Sequence, residues 1–178
     1  MSLREDILNV VLQIDPFDDL ETQHQRSAVD WIESGAGLFR TEKPAVPSKH
    51  LVSYFPIVDQ DHILLVEHRN AGLWLPPGGH VDPDEHPRDT VIREAREELE
   101  SEASFHLDDP LFITCTETVG LTAGHTDVSL WYTLRGDRTD DIRFDITEFK
   151  SIRWFGLNDL ERFVEKLGRA VSDPLGRF

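Results

Sequence analysis

The sequence predicts a mixed α/β chain of the α+β kind, one main domain with an N-terminal helical extension. Three observations carry this expectation. Apolar residues recur at helical spacing near the start, over 87–99 and over 159–167. Between about 45 and 156, short runs rich in β-branched and aromatic residues alternate with turn signals. The length of 178 residues suits one domain with a real core. Residues 1–44 read as the helical extension and 45–178 as the main domain, the two forming one compact unit.

In order, Leu8, Val11 and Leu12 mark a first helix, and 20–32 a second that ends near Gly35 and Gly37. Asp18 or Asp19 would cap the second, with Glu21 and Thr22 in its first turn. Packing on the main domain is the plain role of this segment; a homodimer contact or a substrate lid is the functional alternative. Runs 50–58 and 62–68 flank Asp59-Gln60-Asp61 and read as a hairpin. Residues 72–75 lead into Trp74-Leu75-Pro76-Pro77-Gly78-Gly79-His80-Val81, a strand end entering a double-glycine turn. Glycine there permits φ > 0 and close backbone approach to a ligand or ion. A helix follows, with Pro87 at its first position, Asp89 in its first turn and His86 as a mediocre cap. Runs 111–119, 127–134 and 151–155 are further strands, and 137–141 is an acidic loop. A last helix spans 159–167, capped by Asn158 with Glu161 at N3 and Gly168 beyond its end. Leu160, Phe163, Val164 and Leu167 form its stripe, and the tail after Ala170 is expected to fray.

Composition narrows the function classes. Apolar content of 39% and charged content of 29% are those of a soluble globular protein. A net charge of −16 opposes binding to nucleic-acid polymers or anionic membranes. No stretch approaches the roughly 20 apolar residues of a membrane span, and no targeting segment is visible, so a cytoplasmic location is expected. The single cysteine, Cys115, excludes an intrachain disulfide and reads as a strand residue rather than a nucleophile.

The most informative run is Arg93-Glu94-Ala95-Arg96-Glu97-Glu98. Glu94, Glu97 and Glu98 sit at i, i+3 and i+4 and share a helix face, where each like-charge pair costs about 0.2–0.5 kcal/mol. Val91, Ala95 and Leu99, with Ile92 at the margin, form the opposite apolar stripe. Arg93 stands four residues before Glu97 and can fix its rotamer. Such runs are common on solvated, salt-bridged helices, but the glycine turn ahead and Glu85 between turn and helix point to a ligand site. Oxygen-binding divalent cations relieve the repulsion and keep positions open for phosphates.

Here the chain resembles the Nudix family. The pattern G-x5-E-x7-R-E-U-x-E-E-x-G-U, with U aliphatic or Ala, is met by Gly79, Glu85, Arg93, Glu94, Ala95, Glu97 and Glu98. Glu100 and Ser101 depart at its last two positions. A non-glycine residue in αL costs roughly 1–2 kcal/mol, so the helix is expected to run on or to end without the left-handed cap. The resemblance implies a Nudix-type α/β/α sandwich with a mixed sheet. It also implies Mg²⁺- or Mn²⁺-dependent hydrolysis of a diphosphate linkage in a nucleoside diphosphate derivative. Glu97 and Glu98 resemble the main metal ligands, with the backbone carbonyl of Gly79. Glu94 resembles a further ligand or the group that activates water. Arg93 would orient the carboxylates, and Glu85 would assist.

Other residues extend this reading. Glu148 lies where many Nudix enzymes place a further catalytic glutamate; Asp145 is its rival. His125 and Asp127 share a strand face and are candidates to approach substrate or metal. His80 and Arg69 are candidate phosphate contacts. Trp74, Trp131 and Tyr132 are candidates to stack on a base, though core packing is the commoner fate. The substrate stays open among (deoxy)nucleoside triphosphates, oxidised nucleotides, ADP-ribose and nucleotide sugars, with triphosphates favoured by the compact chain. The alternatives to an enzyme of this kind are a non-catalytic nucleotide-sensing module of the same fold and a prenyl diphosphate isomerase, which would want a nucleophilic cysteine near the site.

Overall fold

The computed structural model describes residues 2–43, 46–118 and 124–156. The predicted helix over 159–167, its Asn158 cap and the tail lie outside the described residues. Two helices open the chain, α1 (Leu3–Gln13) and α2 (Asp19–Glu33). Ser2 and Glu5 form a reciprocal capping box on α1, and the Asp18 carboxylate accepts from the Glu21 amide at 2.8 Å on α2. The buried series of α1 is Ile7 and Val11, followed by Ile14 just beyond its end; Leu12 is 55% exposed, so the predicted stripe was rotated towards solvent. Leu20 is likewise exposed, while Ala28 and Ile32 of α2 enter the core. The Gln25 amide donates to the carbonyls of Val11 and Ile14 and ties the two helices together.

Among the described residues, nine strands follow in two sheets. The first runs β5 (Gly78–His80), β1 (Lys49–Tyr54), β7 (Thr126–Trp131), β6 (Phe112–Glu117), with β1 and β7 parallel and the other pairs antiparallel. In the second, β3 (His62–His68) pairs along its length with β9 (Phe149–Gly156). It also pairs with β2 (Ile57–Asp59) at one end and β4 (Leu73–Leu75) at the other. β8 (Leu134–Arg135) lies parallel to β2. α2 packs near β6, where the buried Glu21 carboxylate accepts from the Ile113 amide at 3.4 Å.

Two predicted strands prove to be pairs. The run 50–58 divides into β1 and β2, and 127–134 into β7 and β8, each pair passing from one sheet to the other. Pro56, without an amide proton, sits at the first crossing. The two ribbons stay joined through the bend: Tyr132 N donates to Tyr54 O at 2.8 Å and Leu134 N to Pro56 O at 3.0 Å. Alternation of apolar residues marks an extended chain but not the sheet it belongs to, so the break was invisible in sequence.

The double glycine is also corrected. Gly78 and Gly79 are not in the left-handed region; they form a short strand against Tyr54 and Ser53. Their lack of a side chain serves close approach instead.

Helix α3 (Pro87–Leu99) lies against β1 and β5, and the Ser53 hydroxyl donates to the Pro87 carbonyl at 2.8 Å. Val91, Ala95 and Leu99 are buried in the core that also takes Leu51, Val81, Ile113, Val128 and Leu130. The helix ends against expectation. Glu100 adopts αL at φ 47° and ψ 32°, and the Ser101 amide bonds back to the Ala95 carbonyl at 3.0 Å. The Glu100 amide makes the six-to-one bond to the same carbonyl, and with the burial of Leu99 these contacts offset the left-handed strain. On residues of opposite parity, Trp131 stacks between Tyr54 at 4.7 Å and Phe112 at 4.8 Å. This core placement, with the burial of Tyr132, takes both residues out of the base-stacking set. No described helix is long and apolar enough to cross a membrane.

Candidate functional site

The first turn of α3 is stapled by its own flank. His86 Nδ1 accepts from the Arg88 amide at 3.2 Å, so the mediocre cap does function. One turn on, Arg93 gathers the acids. Its Nε and Nη2 donate to the two oxygens of Glu85, both at 3.0 Å, and Nη2 also reaches the His80 carbonyl at 3.1 Å. Its Nη1 donates to Glu94 at 2.7 Å and Glu97 at 3.3 Å. A bidentate fork is rigid as well as strong, and these contacts hold the guanidinium in its charged form. Thr90 donates to Glu85 at 2.7 Å. Burial pushes the Glu85 carboxyl up, but hydrogen bonds from Arg93 and Thr90 outweigh it and leave it below the usual range. Both Glu85 oxygens are engaged, which sets this residue behind the arginine.

Glu94 and Glu98 are the strained members. Burial, opposed by Arg93, raises the Glu94 carboxyl. Glu98 is 5% exposed, and its Oε2 has no hydrogen-bond partner among the described residues. Burial first, then the charges of Glu94 and Glu148, push Glu98 up to about 9. Glu97 is open to solvent beside them. Gly79 faces the same point: a Cβ there would fall on the carboxylate of Glu94. The glycine therefore opens the space into which an acid from α3 reaches.

Glu148 and Asp145 stand in different settings. Asp145 Oδ1 accepts from the amide and hydroxyl of Thr147, both at 2.7 Å, and is committed to its own turn. Asp145 N donates to the Glu98 carbonyl at 2.8 Å, which docks this turn on the end of α3. The exposed Glu148 then comes within side-chain hydrogen-bond reach of Glu98. Arg69 fastens the same turn, its amide donating to Glu148 O at 2.9 Å and its Nε to Ile146 O at 2.8 Å.

Trp74 is half-buried, edge-on to Phe155 at 5.2 Å with Arg153 beside it. The His80 side chain alternates away from Gly79 and meets Arg40, His50, His125 and Asp127. Cys115 is half-buried on β6, with burial raising its thiol, far from a nucleophile's setting. His50 and Arg40 carry no sequence signal; the register His50↔Asp127 between β1 and β7 brings the first to notice, and the contact with His80 the second.

Two mixed sheets, a carboxylate-bearing helix and a glycine strand beneath it define an α+β protein of the Nudix fold class. The NUDIX domain matches residues 49–174, and the chain belongs to that family. It is 31% identical over 112 residues to the rat asymmetrical bis(5'-nucleosyl)-tetraphosphatase, a match covering 62% of this chain and 74% of that protein. It is 43% identical over 53 residues to the Escherichia coli CTP pyrophosphohydrolase, covering 27% of this chain and 39% of that enzyme. The match to the mouse tetraphosphatase likewise spans only 38% of that relative. Among solved structures, a NUDIX-family hydrolase from Clostridium perfringens superposes with a TM-score of 0.57 at 22% identity, covering 69% of this chain and 96% of that one.

Proposed function

We propose that this chain hydrolyses a diphosphate linkage in a nucleoside polyphosphate, using Mg²⁺ or Mn²⁺. The observation that carries the proposal is the convergence of Glu94, Glu98 and Glu148 beside Gly79, with an orphaned buried oxygen on Glu98. Buried acids without a counter-charge are costly, and a divalent cation is the partner their oxygen chemistry fits. Glu94, Glu97, Glu98 and the Gly79 carbonyl would hold it. The ion would neutralise phosphate oxygens, lower the pKa of water and align attack on phosphorus.

The chain's own groups do the rest. Arg93, clamped by Glu85, holds Glu94 and Glu97 in fixed rotamers. Glu148, exposed at the rim on a turn fastened by Arg69, is the acceptor for the proton of the attacking water. Trp74, with Arg153 near its ring, offers an aromatic surface for the nucleoside.

The activities for which the rat and E. coli relatives are named support nucleoside polyphosphates ahead of ADP-ribose or nucleotide sugars. The test is a panel of nucleoside triphosphates, dinucleoside polyphosphates, ADP-ribose and nucleotide sugars with each metal, monitoring release of a nucleotide product. Tight nucleotide binding without product, in folded and metal-loaded protein, would replace this reading with that of a sensing module.

A further inference from the structure

We propose a second metal site, built from His50, His80, His125 and Asp127, that takes an imidazole-preferring transition cation of the zinc type. It is separate from the glutamate cluster. Gly79 faces Glu94 on α3, whereas His80, the next residue of β5, points across the strand to the other side. One potential ligand atom from each of the four residues lies within 4.8 Å of all the others.

The hydrogen bonds fix which atoms are free. His50 is fully buried, and its Nδ1 lies 2.9 Å from the Pro47 carbonyl. A carbonyl only accepts, so Nδ1 carries a proton and Nε2 is the ring nitrogen that faces inward. Nε2 faces Asp127 Oδ1 at 3.4 Å, and neither atom has a hydrogen-bond partner among the described residues. His125 repeats the arrangement. The Thr118 hydroxyl lies 3.1 Å from both the His125 carbonyl and His125 Nδ1. The other ring nitrogen, Nε2, faces Asp127 Oδ1 at 3.2 Å. Nε2 of His50 and Nε2 of His125 thus converge on one carboxylate oxygen, with His50 fully buried behind them. That arrangement calls for a cation.

Size and ligand type select the ion. Bonds of about 2.0–2.1 Å in a tetrahedral site separate the ligand atoms by about 3.3 Å, which the 3.2 and 3.4 Å contacts already match. Imidazole favours zinc, cobalt, nickel and copper over magnesium. The partners on His50 and His125 are the outer hydrogen bonds that orient histidine ligands. His80 is the fourth candidate ligand, and the Arg40 guanidinium can only donate to its ring. Its Nε2 meets an Arg40 N–H at 3.1 Å, so Arg40 competes for the fourth position and must give way to the ion. Bound there, the ion would clamp β1, β5 and β7 behind the glycine strand.

The test uses the full chain, stripped of metal and held in excess Mg²⁺ to saturate the glutamate cluster, then titrated with Co²⁺. One Co²⁺ per chain, with the strong visible bands of four-coordinate cobalt, is expected. Asp127→Asn and His125→Ala should each weaken uptake by at least about 100-fold, the upper end for loss of even an outer partner. Arg40→Met should tighten it, and Glu97→Gln should leave the cobalt bands in place. Competition by Mg²⁺, uptake untouched by Asp127→Asn and His125→Ala, or loss of the bands in Glu97→Gln would each overturn the proposal. So would weaker uptake in Arg40→Met.

Discussion

Replacing Glu98 by Gln separates the demands of stability from those of catalysis. The Glu98 carboxyl moves from an ordinary 4.5 to about 9 in the metal-free fold. A folded-state value above the unfolded one means that the fold favours the protonated acid. Its contribution is full below pH 4.5 and is lost as pH rises through about 9. At pH 7 the loss relative to low pH is about 3 kcal/mol, from 2.5 units at 1.36 kcal/mol each, and at pH 5 it is under about 1 kcal/mol. Gln has the same shape, stays neutral, and can donate to Glu148. The metal-free variant should therefore melt higher than the parent at pH 7, by about 6–12 °C at about 2–4 °C per kcal/mol for a chain of this size. The two should nearly coincide at pH 5. Added Mg²⁺ should raise the melting temperature of the parent alone, and turnover of the variant should fall sharply. Thermal unfolding with a chelator at both pH values, then with Mg²⁺, reads all of this. A variant that melts lower than the parent at pH 7, or by the same margin at both pH values, would refute the reasoning.

Three further outcomes follow from the same cluster. Gly79→Ala puts a methyl group where the Glu94 carboxylate sits; Mg²⁺ affinity, read by calorimetry, should drop while far-UV circular dichroism is retained. Arg93→Lys keeps the charge but loses the fork on Glu85; kcat should fall about 100-fold, the scale of a small misplacement of catalytic groups. Glu148→Gln should lower kcat, with the melting temperature little changed; an unaltered kcat would remove Glu148 from the reaction.

Helix α3 was legible because its apolar and acidic positions fall on opposite faces, and the acids themselves lie in one unbroken stretch. The choice between Asp145 and Glu148 was not, since it depends on Thr147 tying down one of them. Glycine's low strand propensity hid β5; the reason for both glycines is the chain packed against them, Glu94 on one and Tyr54 on the other. The left-handed Glu100 also went unread, because the closure onto Ala95 that compensates it is a tertiary outcome. His50 lies 30 residues from His80 and 77 from Asp127 along the chain, and nothing but strand register makes them neighbours.

The crossings at Phe55-Pro56 and Tyr132-Thr133 bear on how this molecule comes apart. Each sheet shares two strands' worth of continuous backbone with the other, and those shared lengths are bonded side by side through the corner. Neither layer can peel off while its neighbour stays whole, so opening the acid cluster by separating the sheets would mean breaking the entire core at once.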